Sequence, residues 1–281
     1  MRLHLEISNI CPLPCHNVER HILQRPLGVM DLWTFRTAID RCESLGIEEV
    51  EFSGVGEPLL NPHLVDFISF FSKRPKPIPT SVISNGTLLT QDNVNQFENS
   101  GLKMLEVTLA PQYGPLTTPS PGSERAQLCD FLAGLSKKSF QFKIIHALPN
   151  WSAEQRGLVS AYWSTRGIEK VWFSSRLSCG IMLSDPNKSH GNRPPLCSLF
   201  SQNHYVSWEG KLLSCCHDRT GDTCLGDLTK ELPKQVIDKK LRIIERQYFY
   251  PICYECTDDR RYPSGGPVRK IVKRFVNALF G

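Results

Sequence analysis

Six short apolar runs alternating with helix-like stretches constrain this chain more than any other feature. The runs are LHLEIS (residues 3–8), EVEFSG (49–54), TSVISNG (80–86), MLEVTLA (104–110), FKIIHAL (142–148) and KVWFSS (170–175), all rich in Val, Ile, Leu or Phe. Between them lie DLWTFRTAIDRCESLG, PHLVDFISFFSK, TQDNVNQFENSG, SERAQLCDFLAGLSKK and SAEQRGLVSAYWSTRG, with polar caps at several starts and glycine at several ends. Strands that alternate with helices are joined by right-handed crossovers and run parallel, which makes this an α/β chain. Both an open doubly wound sheet and a TIM-like partial barrel satisfy the pattern.

The alternation stops near residue 176, where cysteines become dense and loops such as SDPNKSHGNRPP appear. A second, smaller unit is therefore expected, with boundaries at 1–178 for the α/β part, 179–262 for the cysteine-bearing part and 263–281 for a linker and terminal helix. That helix would carry Val268, Ile271, Val272, Phe275, Val276, Leu279 and Phe280 on one face and Arg269, Lys270, Lys273 and Arg274 on the other. Such a helix either docks on the α/β unit, the favoured reading, or makes peripheral contact with an anionic membrane.

With 40% hydrophobic and 22% charged residues in 281, the chain can bury a sizeable core. A net charge of +5 is too weak to argue for nucleic acid as a partner. No apolar run approaches the roughly eighteen residues of a spanning helix, and the N-terminus has no signal-peptide pattern, so a cytoplasmic protein is expected. Eleven cysteines in a reducing compartment point to metal binding rather than disulfides.

Three motifs follow the first three strands: Cys11-x3-Cys15-x2-Val18, Gly54-Val55-Gly56-Glu57-Pro58 and Ser84-Asn85-Gly86-Thr87. Each alone reads as a turn, but carboxyl ends of parallel strands share one face, where active sites are built. There the glycines would let backbone approach a ligand, and Glu57 would face the cavity. A second constellation is Cys197-x12-Gly210-x4-Cys215 followed by Cys253-x2-Cys256. Four thiolates suffice for one metal centre, and spacing alone does not separate an iron–sulfur cluster from zinc. HYVSWEGKLLSCCHD reads as a hairpin turning at Glu209-Gly210, with Cys215 near the end of its second strand.

These motifs resemble the radical S-adenosylmethionine (AdoMet) superfamily, whose loop is CxxxCxxC, whose second-strand motif is GGEP and whose fold is a partial (βα)6 barrel. The resemblance implies a [4Fe-4S] cluster on three thiolates, with AdoMet on the fourth iron and a 5′-deoxyadenosyl radical made by its reductive cleavage. It would place Gly54, Val55, Gly56 and Glu57 around AdoMet, and Asn85 and Thr108 along the cofactor or substrate cavity. Cys11 and Cys15 would be iron ligands, but Val18 stands where the third cysteine belongs; His16, His21 and Cys42 are the candidate replacements. The later cysteines and LGDL (225–228) resemble the SPASM/twitch extension, implying one auxiliary [4Fe-4S] cluster on Cys197, Cys215, Cys253 and Cys256.

By this resemblance the chain would abstract hydrogen from a C–H bond of a small, sugar-like or peptide substrate, with electrons from a donor such as flavodoxin or ferredoxin. The absence of a leader-binding segment before the barrel tilts the expectation away from ribosomal peptides. Two other readings stay open: a catalytically silent relative that binds a partner or ligand, supported by Val18, and a zinc-stabilised binding module. His146 is expected to be a satisfied buried histidine, and Cys129 and Cys179 buried thiols. Cys216, His217 and Cys224 are expected to pack around the second site. The loop PQYGPLTTPSPGSER is long enough for a lid.

Overall fold

The computed structural model describes residues 1–13, 23, 25–42, 45–109, 119–147, 151–174, 197–246 and 250–256. Strands form where the six apolar runs stand: β1 (Arg2–Leu5), β2 (Glu49–Phe52), β3 (Thr80–Ser84), β4 (Met104–Leu109), β5 (Gln141–Ala147) and β6 (Trp172–Ser174). The helices between them are α1 (Leu32–Cys42), α2 (Leu64–Ser72), α3 (Gln91–Ser100), α4 (Glu124–Gly134) and α5 (Ala153–Ser164). Local chemistry sets several of their ends. Thr90 and Asn93 form a reciprocal capping box at the start of α3, Ser152 and Gln155 form another at α5, and Gly101, at φ 81°, stops α3 in the left-handed region.

The strand order decides between the two architectures that the sequence allowed. Neighbours run β6-β5-β4-β3-β2-β1, every pairing parallel, so each strand lies beside the one before it. A doubly wound sheet reverses direction at a switch point, and this order has no reversal. Right-handed crossovers that always step the same way put every helix on one face, leaving the other as the inside of a curled sheet. That is the partial (βα)6 barrel.

Burial follows the two faces. Leu3, Leu5, Val50, Phe52, Val82, Leu105 and Val107 pack with helix residues Phe35, Phe67, Phe71, Val94 and Phe97 in one core. Phe35 stacks on Phe67 with ring centroids 4.0 Å apart, and each fully buried side chain of this size contributes about 1.5–3 kcal/mol. The alternate positions Arg2, His4, Glu51, Glu106, Thr108 and Lys143 are polar and form the inner face.

Three further strands continue the sheet past β1: β7 (Asn203–Val206), parallel to β1, then β8 (Lys211–Leu213) and β9 (Cys224–Asp227), both antiparallel. The β7–β8 turn closes through Gly210, at φ 81°, where an added Cβ would fall 2.6 Å from Thr229. The short helix α6 (Ser198–Gln202) precedes β7, and α7 (Pro233–Arg246) and α8 (Pro251–Glu255) follow β9. Among the described residues no helix is long and apolar enough to cross a membrane. The expected terminal helix, most of the lid loop, and Cys15, His16, Val18, His21 and Cys179 lie outside the described residues.

Candidate functional site

Cys11, Glu57 and Asn85, from three separate motifs, meet at the carboxyl ends of β1, β2 and β3. The Glu57 carboxylate accepts from the Ser84 hydroxyl at 2.9 Å, the Asn85 backbone N–H at 2.9 Å and the Leu59 N–H at 3.1 Å. The Asn85 amide lies 3.5 Å from the Cys11 sulfur. Burial pushes the Glu57 carboxyl up to about 7, against the pull of its three hydrogen bonds.

The glycines here leave room for the chain itself. A Cβ on Gly54 would fall 2.5 Å from Cγ of Glu6, and one on Gly56 2.4 Å from the Ser8 carbonyl. The backbone after β2 is thereby drawn against the end of β1, with the Val55 N–H donating to Glu6 and the Glu57 N–H to the Ile10 carbonyl. Thr108 is buried on the inner face, and its hydroxyl has no hydrogen-bond partner among the described residues.

A cavity of about 130 Å³ runs from this end down the inner face between β1, β2 and β7. His4 and Glu51 line it, with Nδ1 of His4 2.9 Å from the carboxylate and the ring stacked on Tyr205 at 4.4 Å. Burial would raise the Glu51 carboxyl, but His4, the Ser53 hydroxyl and the charge of Arg2 together hold it at about 2. Cys215 and Cys216 reach the same cavity from the hairpin side. A buried ion pair ties the two parts together: Arg25 donates to both Glu6 oxygens, at 2.6 and 3.1 Å, and to the Arg219 carbonyl at 3.0 Å.

The second constellation also assembles. Cys197 precedes α6, Cys215 follows β8, Cys253 lies on α8 and Cys256 caps it, and all four line one small cavity with Phe200, His217 and Ile252. Among the described residues, no three ligand-type side chains converge to the spacing of a single bound ion. The four thiols surround a space. Burial pushes the Cys215 thiol well up, and neighbouring Cys216, Cys253 and Cys197 push it further. Four cysteines around one space supply the thiolate donors that a metal cluster takes, so this donor set fits one.

Other candidates resolve simply. Cys42 is fully buried on α1 in the barrel core, and burial pushes its thiol up to about 12. Cys129 is buried in the same core. His146 is buried as expected but only half satisfied: its Nε2 accepts from the Trp163 indole at 2.7 Å, its Nδ1 has no hydrogen-bond partner among the described residues, and burial pushes its pKa down to about 3. Cys224 is exposed, whereas His217 lines the cysteine cavity. The sequence reading missed Glu6, Arg25, the His4–Glu51 pair and Lys240. The alternation of Arg2, His4 and Glu6 with Leu3, Leu5 and Ile7 carried the signal for an inner polar face.

The fold is that of the radical AdoMet enzymes. Native anSMEcpe with bound AdoMet superposes with a TM-score of 0.62 at 15% identity, covering 99% of this chain and 96% of that one. BtrN in complex with AdoMet and 2-DOIA gives 0.60 at 15%, covering 92% and 93%. Streptococcus suis SuiB bound to its precursor peptide SuiA gives 0.57 at 14%, covering 90% and 65%. No protein-family model matches the chain. It is 29% identical over 104 residues to the tungsten-containing aldehyde ferredoxin oxidoreductase cofactor-modifying protein of Pyrococcus furiosus, 37% of this chain and 29% of that protein. It is 33% identical over 81 residues to GTP 3′,8-cyclase of Clostridium perfringens, 29% of this chain and 24% of that one. The matches thus span less than a third of either curated relative.

Proposed function

We propose that this chain is a radical AdoMet family iron–sulfur protein. In this reading Cys197, Cys215, Cys253 and Cys256 hold an auxiliary [4Fe-4S] cluster, and the mouth formed by Cys11, Gly54–Glu57 and Asn85 binds AdoMet. The observation that carries it is the convergence of four cysteines, from three separate stretches, on one buried cavity. The inner cavity with His4, Glu51 and Tyr205 would take the substrate, a small polar or sugar-like molecule or part of a peptide. Electrons would come from a flavodoxin- or ferredoxin-like donor, with the barrel ending near residue 178 and the cluster-binding extension near residue 262.

The first loop does not fit its cluster as it stands. Cys11 and Cys15 offer two thiolates and Val18 offers none. Val18 favours a second reading, in which the barrel binds its ligand without radical chemistry. Anaerobic reductive cleavage of AdoMet separates the two. Formation of 5′-deoxyadenosine by the natural chain supports an enzyme that abstracts hydrogen from C–H bonds, whereas formation only by Val18→Cys assigns the binding role.

A further inference from the structure

His4 and Glu51 stand opposite each other on β1 and β2 and line the inner cavity. Against the effect of burial, His4, Ser53 and Arg2 hold the Glu51 carboxyl at about 2, so it is a carboxylate that only accepts. The 2.9 Å contact is therefore donated by Nδ1 of His4, and Nε2 is the ring nitrogen left over. Stacking on Tyr205 at 4.4 Å holds the ring in this plane. Nε2 is buried and has no hydrogen-bond partner among the described residues, as is true of the Thr108 hydroxyl, also on the inner face. An orphaned buried polar atom costs stability, which a ligand or an ordered water relieves.

The rest of the wall bears on the ligand's charge. Among the described residues, every charged side chain lining this cavity is already engaged: Arg2 with Glu49 and Glu51, Glu6 with Arg25, and Asp218 with the N–H groups of Gly221 and Thr223. Val55, Leu199 and Leu213 add apolar surface beside them. Such a wall offers hydrogen bonds and apolar contact but no unmatched charge, which suits a neutral molecule with hydroxyl groups on a carbon frame.

We propose that the inner cavity takes a small, neutral, hydroxyl-bearing molecule, and that Nε2 of His4 binds one of its hydroxyls. The inference rests on the reading of this cavity as the substrate site and narrows it, since carboxylates, phosphates and amines would meet no free counter-charge on the wall. A hydroxyl serves either protonation state of the ring, donating to a neutral Nε2 and accepting from a protonated one. Glu51 is the positioning residue, because its bond to Nδ1 leaves Nε2 for the ligand.

The test uses the full chain, reconstituted anaerobically and isotope-labelled at the histidine ring nitrogens, as wild type, His4→Asn and His4→Gln. The asparagine amide can still donate to Glu51 from the place of Nδ1 but puts nothing at Nε2, whereas the glutamine amide reaches the place of Nε2. The probes are myo-inositol and D-glucose, which are neutral, and D-glucuronate and D-glucosamine, which are charged. Dissociation constants come from saturation-transfer NMR, and the imidazole nitrogen spectrum shows which ring is touched. A neutral probe is expected to bind more tightly than the charged ones and to shift the His4 resonances. Its affinity should fall about tenfold in His4→Asn, the worth of one hydrogen bond, and recover for the most part in His4→Gln. Binding of a neutral probe with the His4 resonances unmoved and the affinity unchanged in His4→Asn overturns the proposal. So does a preference for a charged probe, or no binding of either neutral one. Iron per chain and AdoMet cleavage, measured on the same samples, test the radical AdoMet reading separately, because probe binding requires neither. Should His4→Asn not fold, His4→Phe, which keeps the stacking on Tyr205, is read in its place.

Discussion

At the barrel mouth the polar groups satisfy one another, whereas in the extension they surround a space. Glu57 is held by Ser84, Asn85 and Leu59, and Glu6 by Arg25 and Val55, so the mouth is assembled by its own hydrogen bonds. The four cysteines line a cavity, where burial and neighbouring thiols oppose ionisation of Cys215, the condition a metal relieves. The contrast separates a site built to be rigid from a site built to be filled. A change at the first should therefore cost stability, and one at the second should cost bound metal.

The largest stability effect is expected from Arg25→Met, which strands the Glu6 carboxylate in a buried position. Urea unfolding should show a loss of about 3–5 kcal/mol; a loss below 1 kcal/mol would mean that the mouth is not held by this pair. Gly56→Ala forces a Cβ against the Ser8 carbonyl and Ile10, and should cost about 1–3 kcal/mol in the same assay. The smallest effect is a pH dependence. Because Glu51 falls from 4.5 to about 2 on folding, it contributes stability above about 4.5 that is lost as the pH drops toward 2. Unfolding of Glu51→Gln followed over that window should decline less steeply than wild type; parallel curves would mean that His4 and Arg2 do not hold the carboxylate in solution.

Much of this layout is legible in the residues. The six strands, the hairpin at Gly210 and the four later cysteines rest on periodicity and spacing, which local sequence records. The winding is not, because the same alternation builds a reversing sheet or a curled one, and only the unbroken parallel order from β1 to β6 decides it. Glu6–Arg25 and Lys240–Asn203 join residues 19 and 37 positions apart, with no period to betray them. Gly54 and Gly56 could be read as conformationally special but not as contacts with β1, since what fills the space beside a glycine is a matter of tertiary packing.

The central claim, that the extension holds a cluster, is tested most directly by counting iron, zinc and acid-labile sulfide per chain after anaerobic reconstitution, in wild type, Cys253→Ser and Cys11→Ser. The account predicts at least about four irons with matching sulfide in wild type, about four fewer in Cys253→Ser, and an auxiliary complement untouched in Cys11→Ser. About one zinc per chain without sulfide, lost in Cys253→Ser, would contradict it.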